Sequence, residues 1–115
     1  MTNLNDTLRA YGVNINEVME RFVNDERLYY DCLHSFIEDI SFAGLERAIL
    51  SKEFKAAFEH AHTLKGVAAN LGLTPLLTAI NGIVEPLRRH DYSNLNQQYD
   101  AINAEREKLR KILAI

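Results

Sequence analysis

The chain has 115 residues and a mass of 13.2 kDa, with 47% hydrophobic and 25% charged residues, a composition that suits one ordinary globular domain spanning residues 1–115. A domain of this size buries roughly two-thirds of its unfolded surface, so folding requires neither metal nor disulfide. The net charge of -3 argues against a nucleic-acid or anionic-membrane binder, and no apolar run approaches the ~20 residues of a membrane span.

The N-terminal MTNLNDTLRAYG lacks a basic start followed by an apolar stretch, so it does not read as a signal peptide. Cys32 is the single cysteine, which excludes an internal disulfide and fits a cytoplasmic setting. Gly and Pro are scarce, and no repeat or long linker interrupts the chain. Apolar residues recur at i, i+3, i+4 and i+7, so the expected fold is all-α.

In chain order, a short helix over Leu4–Ala10 stops at Gly12. A second follows Asn14 and carries Ile15, Val18, Met19 and Phe22 on one face. Asn24 or Asp25 then caps a long helix to about Ile40, with Leu28, Tyr29, Cys32, Leu33, Phe36, Ile37 and Ile40 facing inward. Ser41 opens a short helix through Leu45, Ala48 and Ile49. The next runs from about Lys52 to Leu71, with Gly72 just past its end. Thr74 caps a helix with Pro75 in its first position, reaching about Arg89 and interrupted by Pro86. Ser93 caps the last, with Leu95, Tyr99, Ile102, Leu109 and Leu113 inward. Four long helices with short connections predict an antiparallel four-helix bundle with additional short helices covering an end.

The informative segment is Ala61 to Gly72. At ~100° per residue, His62 falls at the edge of the apolar stripe, on a face shared with Lys55, Phe58, Lys65, Gly66, Ala69 and Leu73. Glycine inside a helix costs ~1 kcal/mol relative to alanine, and periodicity asks for no bend here. Gly66 therefore reads as clearance beside His62 for an approaching molecule, and Ala69 keeps the strip low one turn further on. Lys65, three residues after the histidine, is placed to bring its ammonium near a group on the ring.

A neutral imidazole is a competent nucleophile, and a neighbouring lysine stabilises negative charge arriving on it. Together these residues describe a phosphoryl acceptor on a rigid helix. No nucleotide-binding loop and no acidic metal cluster accompanies them, so the chain holds a phosphoryl group without taking one from ATP. His60 lies about 160° around the helix from His62, cannot share a metal with it, and reads as solvent-facing. His34 and His90 have no partner spacing. Arg88, Arg89 and His90 end their helix where positive charge suits the dipole, with docking toward an acidic partner as the sharper alternative.

From His62 to Gly72 the chain resembles the histidine-containing phosphotransfer (HPt) domains of two-component phosphorelays, whose pattern is His-x-Leu-Lys-Gly followed by small residues, an apolar residue and Gly. The similarity extends from roughly Val13 to Leu113, through Arg21-Phe22, Asp25-Glu26, Phe36-Ile37-Glu38-Asp39 and Leu45 to Ala48. The resemblance implies that His62 is the phosphorylated residue, with Lys65 neutralising the phosphoryl group and Gly66 giving clearance to a receiver domain. It implies response-regulator receivers and a hybrid sensor histidine kinase as partners, Mg²⁺ only in the receiver, and a phosphocarrier rather than an enzyme.

Val67 and Val84 depart from the family pattern, the latter standing where a ring-orienting glutamate or glutamine is common. That leaves Asn81, Glu85 or water as the ring's partner. Phe58, Ala69 and Leu73 are expected to form an apolar docking patch around the histidine with Gly66. The expectation is a monomeric, cytoplasmic phosphorelay intermediate with no cofactor of its own. The alternative is a helix-bundle module that binds receivers or kinases without carrying phosphate. The chain reads as free-standing or as one domain of a larger protein.

Overall fold

A computed structural model describes residues 3–115, so Met1, at which the chain starts, lies outside the described residues. Seven helices follow one another and no strand occurs among the described residues: α1 Leu4–Tyr11, α2 Ile15–Arg21, α3 Glu26–Ile37, α4 Ile40–Leu50, α5 Phe54–Asn70, α6 Thr74–Arg88 and α7 Leu95–Leu113. The all-α expectation holds.

Local chemistry starts each N-terminal helix. The side chains of Asn3, Asn14 and Asp25 accept hydrogen bonds from the backbone N–H groups of Asp6, Glu17 and Leu28, caps worth about 1 kcal/mol each. The long helix expected to reach Ile40 instead ends at Ile37. The Asp39 carboxylate accepts the Ser41 N–H at 2.8 Å and starts α4 at Ile40. The register therefore resets at Glu38–Asp39, leaving Ile40 85% exposed rather than inward. Leu28, at the first turn of α3, is also exposed.

Two further caps differ from expectation. Thr74 lies inside the first turn of α6 rather than at its N-cap, and no side chain accepts a capping hydrogen bond from that helix. Ser93 donates through both its N–H and its hydroxyl to Asp91, while Asn94 precedes α7. Pro86 does not stop α6 at once; the helix runs two residues further, to Arg88. Its missing N–H would have paired with the carbonyl of Gly82, four residues back.

The core runs the length of a body 44 × 24 × 20 Å. Leu45, Ala61, Leu64, Ala68, Ile80, Ile83, Val84, Ile102 and Leu109 are among its fully or nearly fully buried members. α4 packs along α5, α5 along α6, and α6 along α7, and α7 also meets α1, α3 and α4. The small residues Ala57, Ala61 and Ala68 let α5 lie close to its neighbours.

Polar anchors tie the N-terminal helices to the end of α5. The buried Tyr29 hydroxyl donates to Leu71 O at 2.7 Å, and Arg21 Nη1 donates to Asn70 O at 2.5 Å. Arg106 is a charged residue the periodicity does not flag as interior. Its guanidinium lies 4.0 Å from the Phe42 ring centroid and donates to Ile37 O at 2.6 Å, satisfying the last carbonyl of α3. No described helix is long and apolar enough to cross a membrane.

Candidate functional site

α5 is the helix that presents the chemistry, and its inner and outer faces separate cleanly. Ala57, Ala61, Leu64 and Ala68 are buried, while His62, Gly66 and Ala69 are exposed and Lys65 is half-buried. The helix ends through Gly72, at φ +72°, whose N–H and that of Leu73 donate to Ala69 O and Ala68 O.

The His62 ring stands off the bundle with one aromatic neighbour, Phe58, whose centroid is 5.7 Å away and inclined 34°. Hydrogen bonds to imidazoles occur at His34 and His90, but none reaches His62 among the described residues. Neither ring-orienting candidate bonds the ring. The exposed Glu85 carboxylate is 3.5 Å from Arg88 Nε. Asn81 is half-buried, with its Oδ1 buried and without a hydrogen-bond partner. Val84, between them, is fully buried.

Gly66 carries the strongest geometric signal. A Cβ built on it would meet nothing within 4 Å, so no contact inside the fold requires glycine there. Gly44 gives the contrast. A Cβ there would lie 2.7 Å from the His60 ring, so this glycine makes room for a side chain of its own fold. His60 is thus half-buried against α4, a correction to its reading as solvent-facing. Gly82 resembles Gly66 in having open space around it, but the residue one turn before it is Thr78, whose hydroxyl donates to Thr74 O, and no imidazole stands there.

The expected docking patch is only partly realised. Phe58 is half-buried and Ala69 exposed, so both are presented around His62. Leu73 is not: it is 0% exposed. Its placement on the histidine's face assumed that helical geometry continues past Leu71, whereas α5 ends at Asn70 and the Gly72 turn directs Leu73 into the core.

Arg88 adds a cation at the other end of the same face. Its guanidinium lies 5.2 Å from the centroid of Phe58, the ring that also neighbours His62. Arg88 follows His62 on a different helix, and only the packing of α6 on α5 brings the two together. Lys65 makes no ion pair among the described residues. No group of three or more His, Cys, Asp or Glu side chains is placed to hold a metal among the described residues. Cys32 is half-buried and free.

An exposed imidazole, an unpaired lysine one turn on and cleared ground beside both make a nucleophile open to a large partner. Among known proteins, a family model described as Hpt domain matches residues 33–111, which includes α4 to α6, the last five residues of α3 and most of α7. The stretch from Val13 to Cys32, counted above in the resemblance, lies outside that match. No match was found among curated proteins or among solved structures. Because the family model covers more than half of the chain, and His62, Lys65 and Gly66 lie within the matched region on one presented face, the chain belongs to the Hpt domain family, whose members serve phosphotransfer in phosphorelays.

Proposed function

We propose that this domain is a phosphorelay intermediate that takes a phosphoryl group from a receiver aspartate onto His62 and passes it to another receiver. The observation that carries this reading is the open space at Gly66, one helical turn from an exposed histidine. A mid-helix glycine costs about 1 kcal/mol, and here nothing in the fold repays it. A partner that must lie flat beside the ring does.

In the forward step, the lone pair of the unprotonated ring nitrogen attacks phosphorus, forming the N–P bond. The P–O bond to the receiver's aspartate breaks, and its electron pair leaves as carboxylate. The second ring nitrogen keeps its proton. Lys65, three residues after His62 on the same helix, supplies the ammonium that offsets the charge of the arriving phosphoryl oxygens. The reverse of this step, onto a different aspartate, discharges the domain. Mg²⁺ belongs to the receiver in this scheme, and the domain acts as a phosphocarrier rather than a catalyst.

For ring orientation we favour Asn81, whose buried oxygen has no partner, over Glu85, which pairs with Arg88, although neither bonds the ring in this structure. The short connections between successively packed helices support an antiparallel four-helix arrangement of α4 to α7, with α1 to α3 as the added helices. We assign the work to a monomer in the cytoplasm, where receivers and kinase modules meet it.

The test is to incubate the protein with a phosphorylated receiver and follow the label. Acid-labile, base-stable label on wild type and none on His62→Gln supports the reading. A wild type that binds receivers yet never takes label favours the plain interaction module instead.

A further inference from the structure

One turn N-terminal to Phe58, on the side of His62 away from Gly66, the surface opens into a cleft of about 410 Å³. We infer that this cleft binds a small aromatic anion, a planar ring carrying a carboxylate or similar group. The inference does not depend on whether His62 carries phosphate.

The lining is mainly apolar. Leu87 is buried, Phe58 forms one wall, and the Phe54 and Tyr92 rings stack with centroids 3.7 Å apart and planes 12° from parallel. The remaining residues are all basic: Lys55, Arg88 and His90. A concave apolar site with a few convergent polar groups, and a volume between about 300 and 1,000 Å³, has the dimensions of a small-molecule site. The ring faces favour a flat apolar body, and the basic groups favour an anion on it.

The cleft is also built rather than incidental. Past the end of α6, His90 adopts φ +60°, an uncommon conformation for a residue with a side chain. Its Nδ1 is hydrogen-bonded to the Tyr92 hydroxyl at 2.8 Å, which helps fix Tyr92 over Phe54. The Asp91 N–H donates to Pro86 O at 2.8 Å, and the Asp91 carboxylate accepts from the Ser93 hydroxyl at 2.6 Å. The one acid in this turn is therefore engaged with Ser93. Glu85 pairs with Arg88, while Lys55 makes no ion pair among the described residues.

Shape separates this site from the ground where a receiver would settle. The strip at Gly66 and Ala69 is low and open, suited to a broad surface, whereas the cleft is recessed between α5 and the turn after α6. Through Phe58, which touches both, occupancy of the cleft should register at the His62 ring.

The experiment titrates the full chain with sodium 2-naphthoate, followed by backbone and aromatic NMR shifts, with 2-naphthylmethanol as the neutral control. Saturable shifts centred on Phe54, Phe58 and Tyr92, with a Kd on the order of 1 mM or below, are expected. The alcohol should bind at least about tenfold more weakly, and a folded Lys55→Gln/Arg88→Gln protein should lose the preference for the acid. Acid and alcohol binding equally well, no saturation up to the solubility limit, or shifts centred elsewhere would overturn the inference. So would cleft shifts that appear only with added receiver, or that follow protein concentration alone, because the occupant would then be a protein surface. The acid–alcohol comparison on wild type decides the matter even if the double variant fails to fold.

Discussion

At the α4–α5 seam the His60 imidazole fills the space over Gly44, while on the opposite side of the same helix the His62 imidazole is exposed and a Cβ on Gly66, one turn on, would meet nothing within 4 Å. Both pairs put a histidine beside a glycine, and the two glycines serve opposite ends. Gly44 is required by the fold, since a Cβ there would sit 2.7 Å from a ring that belongs to the protein. Gly66 is required by nothing within 4 Å. A residue that lowers helix stability without an internal reason points outward, to whatever must approach that ring. The difference between a packing histidine and a presented one is thus visible in what stands next to each.

Exchanging the roles of the two histidines should produce the largest effects. His62→Gln is expected to abolish labelling by a phosphorylated receiver while leaving stability within about 0.5 kcal/mol of wild type in urea unfolding, as an exposed substitution should. His60→Gln should keep labelling. If His60→Gln loses label and His62→Gln retains it, the assignment of the two faces is wrong.

Next comes the seam itself. Gly44→Val forces branched carbon into the His60 ring and should cost about 2 kcal/mol by overpacking. Adding His60→Ala should return most of that loss in a double-mutant cycle. A cost unchanged by His60→Ala would mean that the ring is not what occupies the space.

On the outer face, Lys65→Ala should slow transfer by about tenfold, equivalent to about 1.4 kcal/mol of transition-state stabilisation. The melting curve should not move. The smallest effect is the sharpest contrast between the glycines: Gly66→Ala should raise stability by about 0.5–1 kcal/mol, since alanine gains helix propensity and meets no neighbour. A destabilised Gly66→Ala protein would reveal an internal need for glycine that the open space denies.

The interior phenols give the pH dependence of the same core. Burial raises the pKa of Tyr11 and of Tyr29 above the usual value of 10.0, with Glu105 beside Tyr11 and Tyr30 beside Tyr29 adding to the rise. A raised folded-state value means that the neutral phenols stabilise the fold fully below about pH 10 and that this contribution is lost as pH rises above it. Unfolding monitored by circular dichroism should therefore show a steep alkaline loss beginning near pH 10, reduced in Tyr29→Phe.

The helices were legible in the sequence wherever periodicity and a capping residue agreed, as at the side chains of Asn14 and Asp25 and the backbone of Gly72. The candidate site was legible only as an arrangement: His62, Lys65 and Gly66 are close in sequence, and helical geometry alone puts them on one face. What was not legible depended on other elements. Helical spacing carried past the end of α5 puts Leu73 on the docking face, whereas the left-handed Gly72 turns it inward. Apolar spacing that runs unbroken through Ile37 predicts Ile40 inward, whereas the Asp39 cap resets the register. His60 over Gly44, Arg106 against Phe42 and Arg88 over Phe58 each join residues from different helices. No spacing along one helix encodes such pairs.

The central claim, that Gly66 is kept small for a docking partner and not for the fold, is tested most directly by a size series. Transfer from one phosphorylated receiver would be measured for Gly66→Ala, Gly66→Leu and Gly66→Gln alongside their urea stabilities. The account predicts that the rate falls with each increase in side-chain size, by about a hundredfold at the largest, since displacement of the reacting groups by about 1 Å costs that much, while stability equals or exceeds wild type. Rates independent of side-chain size, or losses that track unfolding, would contradict it.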